Sequence, residues 1–168
     1  FAAKKMVKAL VNENKILICA NGSSTSLAQY LTAQLINRFE TERPALPAFS
    51  LTADNIVTAA ICNSDNTNYD GVFSRQIQAL GKSQDILFIL VSQELRNSQV
   101  QAIETAHELG LMIILICGEV SEDISPHINE TDLAIQIPLE NQAQIVEAQL
   151  ISIHGLCDLI DHLLFGTI

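Results

Sequence analysis

Tryptophan is absent from this sequence, and all aromatic residues together make up only 5% of its 168 residues. Hydrophobic residues nevertheless amount to 48%, because alanine, leucine, isoleucine and valine are abundant. This mixture is typical of buried parallel strands that are covered by helices. A chain of this length can bury a sizeable core, and we expect residues 1–168 to form a single domain.

Long apolar runs are also missing. No run reaches the roughly 18 residues that a membrane span requires. Residues 1–10 contain three lysines in place of the continuous apolar region of a signal peptide. We therefore expect a cytoplasmic protein that has no membrane partner. Because no Met precedes Phe1, we also expect the N-terminal helix to be incomplete.

Positive charge is scarce. Nine Lys and Arg residues face nineteen Asp and Glu residues, which gives a net charge of −10 and an isoelectric point near 4.6. Affinity for nucleic acid comes largely from Lys and Arg side chains that neutralise phosphates. The charge balance therefore argues against direct binding of DNA or RNA.

Paired cysteines are missing as well. Cys19, Cys62, Cys117 and Cys157 lie far apart, each within an apolar run, and no Cys-x-x-Cys spacing occurs. We expect them to be buried free thiols of a reducing compartment rather than metal ligands or disulfides.

Five short apolar runs alternate with helical patterns. The runs that predict strands are 16–19, 48–51, 86–91, 112–117 and, more weakly, 133–137. The patterns that predict helices are 1–11, 24–39, 55–62, 69–80, 97–109 (closed by Gly110) and 142–165. Alternating strands and helices predict a parallel α/β sheet with right-handed crossovers.

The last helical segment, 142–165, carries apolar side chains around most of its circumference. A helix of this kind must be buried nearly all round, and one small domain rarely encloses so long a helix. The segment 1–11 is a second helix with an apolar face. Together the two segments predict that the chain associates with itself through helices.

The first strand ends in a loop of small polar residues, Ala-Asn-Gly-Ser-Ser-Thr-Ser at 20–26. Ligands of parallel sheets bind beyond the carboxyl ends of the strands. Gly22 permits a positive φ, and Ser24 or Thr25 could cap a helix whose unpaired N–H groups attract phosphate. An ordinary strand–helix turn with a serine cap explains the same residues equally well.

Two longer stretches carry a resemblance. "ICANGSSTSLAQYLTAQLINRFETERPALPA" and "LCDLIDHLLF" resemble the SIS (sugar isomerase) domain family, in its branch of phosphoheptose isomerases and DnaA initiator-associating proteins, and are most similar to the latter. The resemblance covers nearly the whole chain. It implies a flavodoxin-like α/β fold, a three-layer sandwich with a five-stranded parallel sheet. It also implies a homotetramer with a sugar-phosphate pocket between subunits, in which Ser24 contacts the phosphate. The ligand-binding residues expected on this loop are Asn21, Gly22, Ser23, Ser24 and Thr25.

The resemblance also implies a second phosphate loop after the third strand, which reads "VSQELRNSQV" here. Ser92, Asn97 and Ser98 match the ends of the loop, and we expect them to bind ligand. Its usual Thr-x-Gly centre is missing, and the loop is one residue longer. Asn97 and Ser98 could instead only cap the next helix.

The catalytic groups that the resemblance implies are mostly replaced. Two histidines, a glutamate and a glutamine hold zinc and move the proton in the isomerases; Tyr30, Gln34 and Val146 stand in place of three of them, and His154 remains. Tyr30 is a poor base at neutral pH, and one imidazole does not make a zinc site. We therefore expect no zinc or other cofactor. His154 is the one candidate catalytic base, or a partly buried histidine paired with Asp158.

These observations favour a non-catalytic regulator that binds the replication initiator DnaA as a homotetramer. Such a multimer would hold several initiators together and raise their local concentration. Leu164 and Phe165 end the last helix and are the predicted partner contacts. The alternatives are a phosphoheptose isomerase acting on sedoheptulose 7-phosphate, and a sensor that binds a sugar phosphate.

Overall fold

The computed structural model describes residues 1–64, 68–118 and 123–166. Within these ranges the chain forms five strands and six α-helices. The strands are β1 Ile16–Ala20, β2 Ala48–Ser50, β3 Ile86–Leu90, β4 Met112–Cys117 and β5 Leu133–Gln136. The helices are α1 Ala2–Val11, α2 Thr25–Ile36, α3 Asn55–Cys62, α4 Val72–Leu80, α5 Asn97–Glu108 and α6 Gln142–Phe165.

All strand pairs are parallel, and the strand order is β2-β1-β3-β4-β5. The predicted fold class is confirmed, and every predicted strand end lies within one residue of the observed one. The largest differences among the helices are at α2, which ends at Ile36 instead of residue 39, and at α4, which begins at Val72 instead of residue 69. Gly110 follows α5 with a φ of 76° and ends that helix as predicted.

The sheet separates two hydrophobic cores. Even-numbered residues of β1, β3 and β4, such as Ile18 and Phe88, pack with residues of α1, α2 and α6. Odd-numbered residues, such as Leu17 and Ile89, pack with residues of α4 and α5. This division follows from the two-residue period of a strand, which sends successive side chains to opposite faces. Both faces are covered, so the strands read as continuous apolar runs.

One expectation about exposure needs adjustment. Cys19, Cys117 and Cys157 are buried free thiols as predicted, whereas Cys62 is only half-buried. Burial raises the pKa of Cys157 to about 12 and that of Cys117 to about 11, so both stay protonated at neutral pH. Among the described helices, none is both long enough and apolar enough to cross a membrane.

A buried ion pair fixes the end of α2, which the sequence pattern did not reveal. Arg43 Nε donates to Asp161 Oδ1 of α6 at 2.6 Å, and both side chains are almost fully buried. The same guanidinium donates to the carbonyl oxygens of Gln34 and Leu35 at 2.7 and 2.9 Å. These are among the last carbonyls of α2, which lack partners within the helix. Arg43 therefore ends α2 and ties it to α6.

We expect Asp161→Ala to lower the free energy of unfolding by about 3–5 kcal/mol, because it leaves a buried guanidinium without its counter-charge. Urea unfolding followed by circular dichroism measures the change. The matched control is Glu42→Gln, which breaks the exposed pair of Arg38 with Glu42 and should cost less than about 0.5 kcal/mol. Equal losses in the two variants would contradict this account of the pair.

Candidate functional site

The candidate site lies at the carboxyl ends of β1 and β3, where two loops lead into α2 and α5. The first loop forms a short 3-10 turn, Gly22–Ser24, before α2 begins. Gly22 has a φ of 58°, and no other atom lies within 4 Å of where a Cβ would stand. A non-glycine residue would be strained there, so glycine keeps this backbone open to an approaching group.

The structure brings the two predicted loops into direct contact. Asn21 Nδ2 donates to Ser98 Oγ at 3.0 Å, and the hydroxyls of Ser23 and Ser92 are 3.4 Å apart. The Tyr69 hydroxyl donates to Asn21 Oδ1 at 3.1 Å. Burial raises the pKa of Tyr69, so the phenol keeps the proton that it donates. The first turns of α2 and α5 therefore open side by side on one surface.

Ser24 occupies a different place from the one expected of a phosphate ligand. Its side chain is fully buried, and its hydroxyl donates to Gln149 Oε1 of α6 at 2.8 Å. Gln149 Nε2 in turn donates to the carbonyls of Val91 and Ile116, at the ends of β3 and β4. The side chain of Ser24 thus points into the fold. A ligand at this loop would meet the backbone N–H groups beside Gly22 instead.

The capping interpretations do not match the structure. Ser24 holds the N-cap position of α2 and Thr25 begins the helix, but the Ser24 side chain makes no capping hydrogen bond. At α5 the N-cap residue is Arg96, whose backbone N–H donates to Gln99 Oε1 at 3.3 Å. Asn97 and Ser98 are the first two residues of α5, where backbone N–H groups lack acceptors within the helix.

Three adjoining cavities occupy this edge of the sheet. The largest, about 520 Å³, lies between the two loops and is lined by Asn21, Gly22, Tyr69, Asp70, Leu95, Arg96, Asn97 and Ser98. Cavities of about 100 and 490 Å³ continue from it past Ser92 toward the start of α6. Arg96 lines all three, and acidic side chains of Asp70, Glu94, Asp123 and Glu140 line them too.

Arg96 was not predicted as a site residue, although its isolation among the cations of the sequence marks it. Arg96 is the only Lys or Arg after residue 82, and its guanidinium is 3.7 Å from the carboxylate of Glu94. An anion in these cavities would therefore depend on this one cation and on the backbone N–H groups of two helix starts. Gln142 and Gln149 of α6 were missed as well, because no local pattern relates them to the loops.

The positions that replace the isomerase groups lie on α2 and α6. The Tyr30 hydroxyl and His154 Nε2 are 3.0 Å apart, and the Phe39 ring lies 5.6 Å from the His154 ring between centroids. His154 is thus partly buried as expected. Its hydrogen-bond partner is Tyr30 and not Asp158, whose side chain is exposed. Val146 packs against the core.

These side chains do not fit a zinc ion. Tyr30, Gln34, Val146 and His154 provide a single imidazole, and zinc takes three or four nitrogen, sulfur or carboxylate ligands. Among the described residues, no group of three or more His, Cys, Asp or Glu side chains is placed to hold a metal ion.

Known proteins that are similar to this chain belong to one family but carry two different names, an isomerase and an initiator-associating protein. The SIS domain family matches residues 1–118 of the chain. The phosphoheptose isomerase of Chromohalobacter salexigens is 41% identical over 166 residues, which are 99% of this chain and 83% of that protein. The DnaA initiator-associating protein DiaA of Yersinia enterocolitica is 39% identical over 164 residues, which are 98% of this chain and 83% of that protein.

A solved structure agrees with these relatives. The structure of a phosphoheptose isomerase from Francisella tularensis superposes with a TM-score of 0.90 and 37% identity, covering 96% of this chain and 83% of that one. Relatives of nearly equal identity thus carry the names of an enzyme and of an initiator-associating protein. Identity over the whole chain does not separate the two functions, and the separation must come from the site.

We expect a sugar phosphate to stabilise the protein through Arg96. A ligand at 100 times its dissociation constant adds about 2.7 kcal/mol, which corresponds to a rise of roughly 5–10 °C in melting temperature for a chain of this size. Sedoheptulose 7-phosphate is the probe, and scanning fluorimetry is the measurement. Arg96→Gln should remove most of the rise because it deletes the one cation of these cavities.

The matched control is Arg75→Gln, which deletes an exposed arginine of α4 that lines none of the three cavities. It should leave the rise intact. Ser24→Ala is unsuited to this test, because it leaves Gln149 Oε1 buried without a donor at a cost of about 1–3 kcal/mol. An unchanged rise in the Arg96 variant would place the ligand elsewhere.

Proposed function

The chain belongs to the SIS domain family, and we propose that it is a non-catalytic member that binds the replication initiator DnaA as a homotetramer. The observation that carries the proposal is the contact between Tyr30 and His154. Aldose–ketose isomerisation needs a base to move a proton between carbons and a group to polarise the carbonyl. His154, the one isomerase group that remains, is hydrogen-bonded to Tyr30. Gln34 and Val146, which replace two of the other groups, provide no second acid or base.

The relatives support a role in initiation. The Yersinia relative is named for its association with DnaA, and the match covers almost the whole of this chain. A net charge of −10 does not oppose such a role, because the contact would be with the initiator protein and not with DNA. We propose that the protein acts in the cytoplasm, where its free thiols stay reduced.

The C-terminal end of α6 supplies a surface for the partner. Gly166 adopts a left-handed φ of 67° and ends the helix directly after Phe165. The Phe165 ring is 38% exposed, whereas Leu164 is half-buried and packs against the first core. Exposed phenylalanine is a common anchor at protein interfaces. Phe165 is therefore the stronger candidate contact, and Leu164 positions the helix end beneath it.

Three further exposed apolar residues of α6 support the homotetramer. Ile151, Leu159 and Leu163 are 71%, 49% and 42% exposed, and their spacing of eight and four residues places them on one side of the helix. An apolar stripe of this length on one chain favours burial against a helix of another copy.

The alternative function is a phosphoheptose isomerase that converts sedoheptulose 7-phosphate to a heptose 7-phosphate. It is supported by the Chromohalobacter relative and by the Francisella structure, both of which carry that name. It requires that catalytic groups other than those replaced here act at the site.

We expect the purified protein to show no turnover of sedoheptulose 7-phosphate, with or without added zinc, because three of the four groups are replaced. The positive control is the triple variant Tyr30→His, Gln34→Glu, Val146→Gln, which restores them and should bind zinc measurably by calorimetry. Turnover by the unmutated protein would make the isomerase the better description. A triple variant that binds no zinc would show that these positions were aligned wrongly.

We expect Phe165→Ala to weaken binding of purified DnaA about 30-fold, since removing an interface anchor costs about 2 kcal/mol. The tetramer mass by light scattering and the melting temperature should stay unchanged. Ile56→Ala is the matched control, because it truncates an apolar side chain of α3 that is 82% exposed. If Phe165→Ala dissociates the tetramer, the residue belongs to the self-association interface. If the unmutated protein does not bind DnaA, the regulatory proposal fails.

A further inference from the structure

A second large cavity lies at the opposite, amino-terminal edge of the sheet. Its volume is about 560 Å³, similar to that of the largest cavity of the candidate site. It is bounded by α1, by the turns that precede β1 and β3, by the end of α5 and by the loop before β5. The lining residues are Lys5, Lys8, Ala9, Asn12, Asn14, Gln84, Ile86, His107, Gly110, Leu111, Met112, Asn129 and Thr131.

The charge of this cavity is opposite to that of the molecule. Its lining contains two lysines and a histidine and, among the residues that the structure describes, no carboxylate. All five lysines of the chain lie on α1 or in the turns before β1 and β3. In a protein of net charge −10, a pocket with this lining concentrates small anions where the rest of the surface repels them.

Buried Asp85 holds the first wall rigid. Its carboxylate accepts hydrogen bonds from the backbone N–H and the ammonium of Lys15, at 2.9 and 2.6 Å, and from the backbone N–H of Lys82 at 2.8 Å. The loop between Lys82 and Asp85 places Gln84 at the cavity in a left-handed conformation, with a φ of 72°. The Gln84 N–H donates to the carbonyl of Gly110 across the cavity wall at 2.9 Å.

Buried Asp132 holds the opposite wall in the same way. It accepts hydrogen bonds from the backbone N–H groups of Ile113 and Asn129, at 2.9 and 3.0 Å. His107 Nε2 donates to the same carboxylate at 2.8 Å. Asp85 is paired with the Lys15 ammonium, and both buried carboxylates are hydrogen-bonded to donors of the cavity walls. The cavity walls are therefore held in place before a ligand binds, which lowers the entropy cost of binding.

We propose that this cavity binds a compact organic dianion, either a phosphate monoester or a dicarboxylate. The charged group lies between Lys5 and Lys8, which are one turn apart on α1. The amides of Asn14 and Gln84 and the hydroxyl of Thr131 contact its polar groups. Ile86, Leu111 and Met112 form an apolar floor that accommodates the carbon chain. The site is independent of the proposed function, because it lies at the other edge of the sheet.

The test is a heteronuclear NMR titration of the ¹⁵N-labelled protein with ribose 5-phosphate in one arm and succinate in the other. We expect saturable shifts of the amide signals of Lys5, Lys8, Gln84 and Gly110 with at least one probe. The arm that saturates at lower concentration identifies the class of dianion. Shifts confined to Gly22 and Ser98 would place the anion at the candidate site, and these or no shifts at all would overturn the proposal.

The variant Lys5→Gln with Lys8→Gln should weaken this binding at least about tenfold, because each charge-assisted contact is lost. Lys4→Gln is the matched control for each of these substitutions made singly: it removes one charge from α1, but the Lys4 side chain does not line the cavity. Gln84→Gly removes a lining amide while relieving a left-handed φ, so it should raise the melting temperature and weaken binding. Equal effects of Lys4→Gln and of the double variant would mean that only overall charge matters.

Discussion

The buried carboxamide of Gln149 is the contact on which the carboxyl edge of the sheet depends. Gln149 Oε1 accepts a hydrogen bond from the Ser24 hydroxyl, and Gln149 Nε2 donates to the carbonyls of Val91 and Ile116. One side chain of α6 thereby satisfies the loop after β1 and the ends of β3 and β4. A buried amide that lost any of these partners would keep its desolvation cost, so the three elements hold a single arrangement.

The rest of α6 follows from that anchor. Gln149 is fixed over the sheet, and this places Gln142, at the start of the helix, beside Ser23. Gln142 Nε2 donates to the Ser23 hydroxyl at 3.0 Å. His154 then faces Tyr30 of α2, and Asp161 meets Arg43 at the far end. The helix that carries the candidate partner surface is therefore positioned by polar contacts along its whole length, although most of its buried area is apolar.

Charge divides the molecule into two unlike edges. At the carboxyl edge the cavities contain Arg96 together with several acidic side chains, and the backbone N–H groups at two helix starts add to the attraction of Arg96 for an anion. At the amino edge Asp85 and Asp132 are buried and hydrogen-bonded to the cavity walls, and two lysines line the cavity. A shared fold leaves both edges free to change, which is why family membership does not decide between enzyme and regulator.

The strands, their alternation with helices and the parallel sheet were predictable from the sequence, because continuous apolar runs and the 3.6-residue period of apolar residues in helices are local patterns. The loop after β1 was also predictable, since small polar residues after a buried strand are a local signal, whereas the loop after β3 was predicted from the family resemblance. Tertiary structure decided the roles of individual side chains. Ser24 bonds to Gln149, 125 positions away, Arg43 ends α2 through Asp161, and Asp85 and Asp132 frame a cavity. No periodicity encodes contacts between residues so far apart, because they depend on how helices and strands pack in three dimensions.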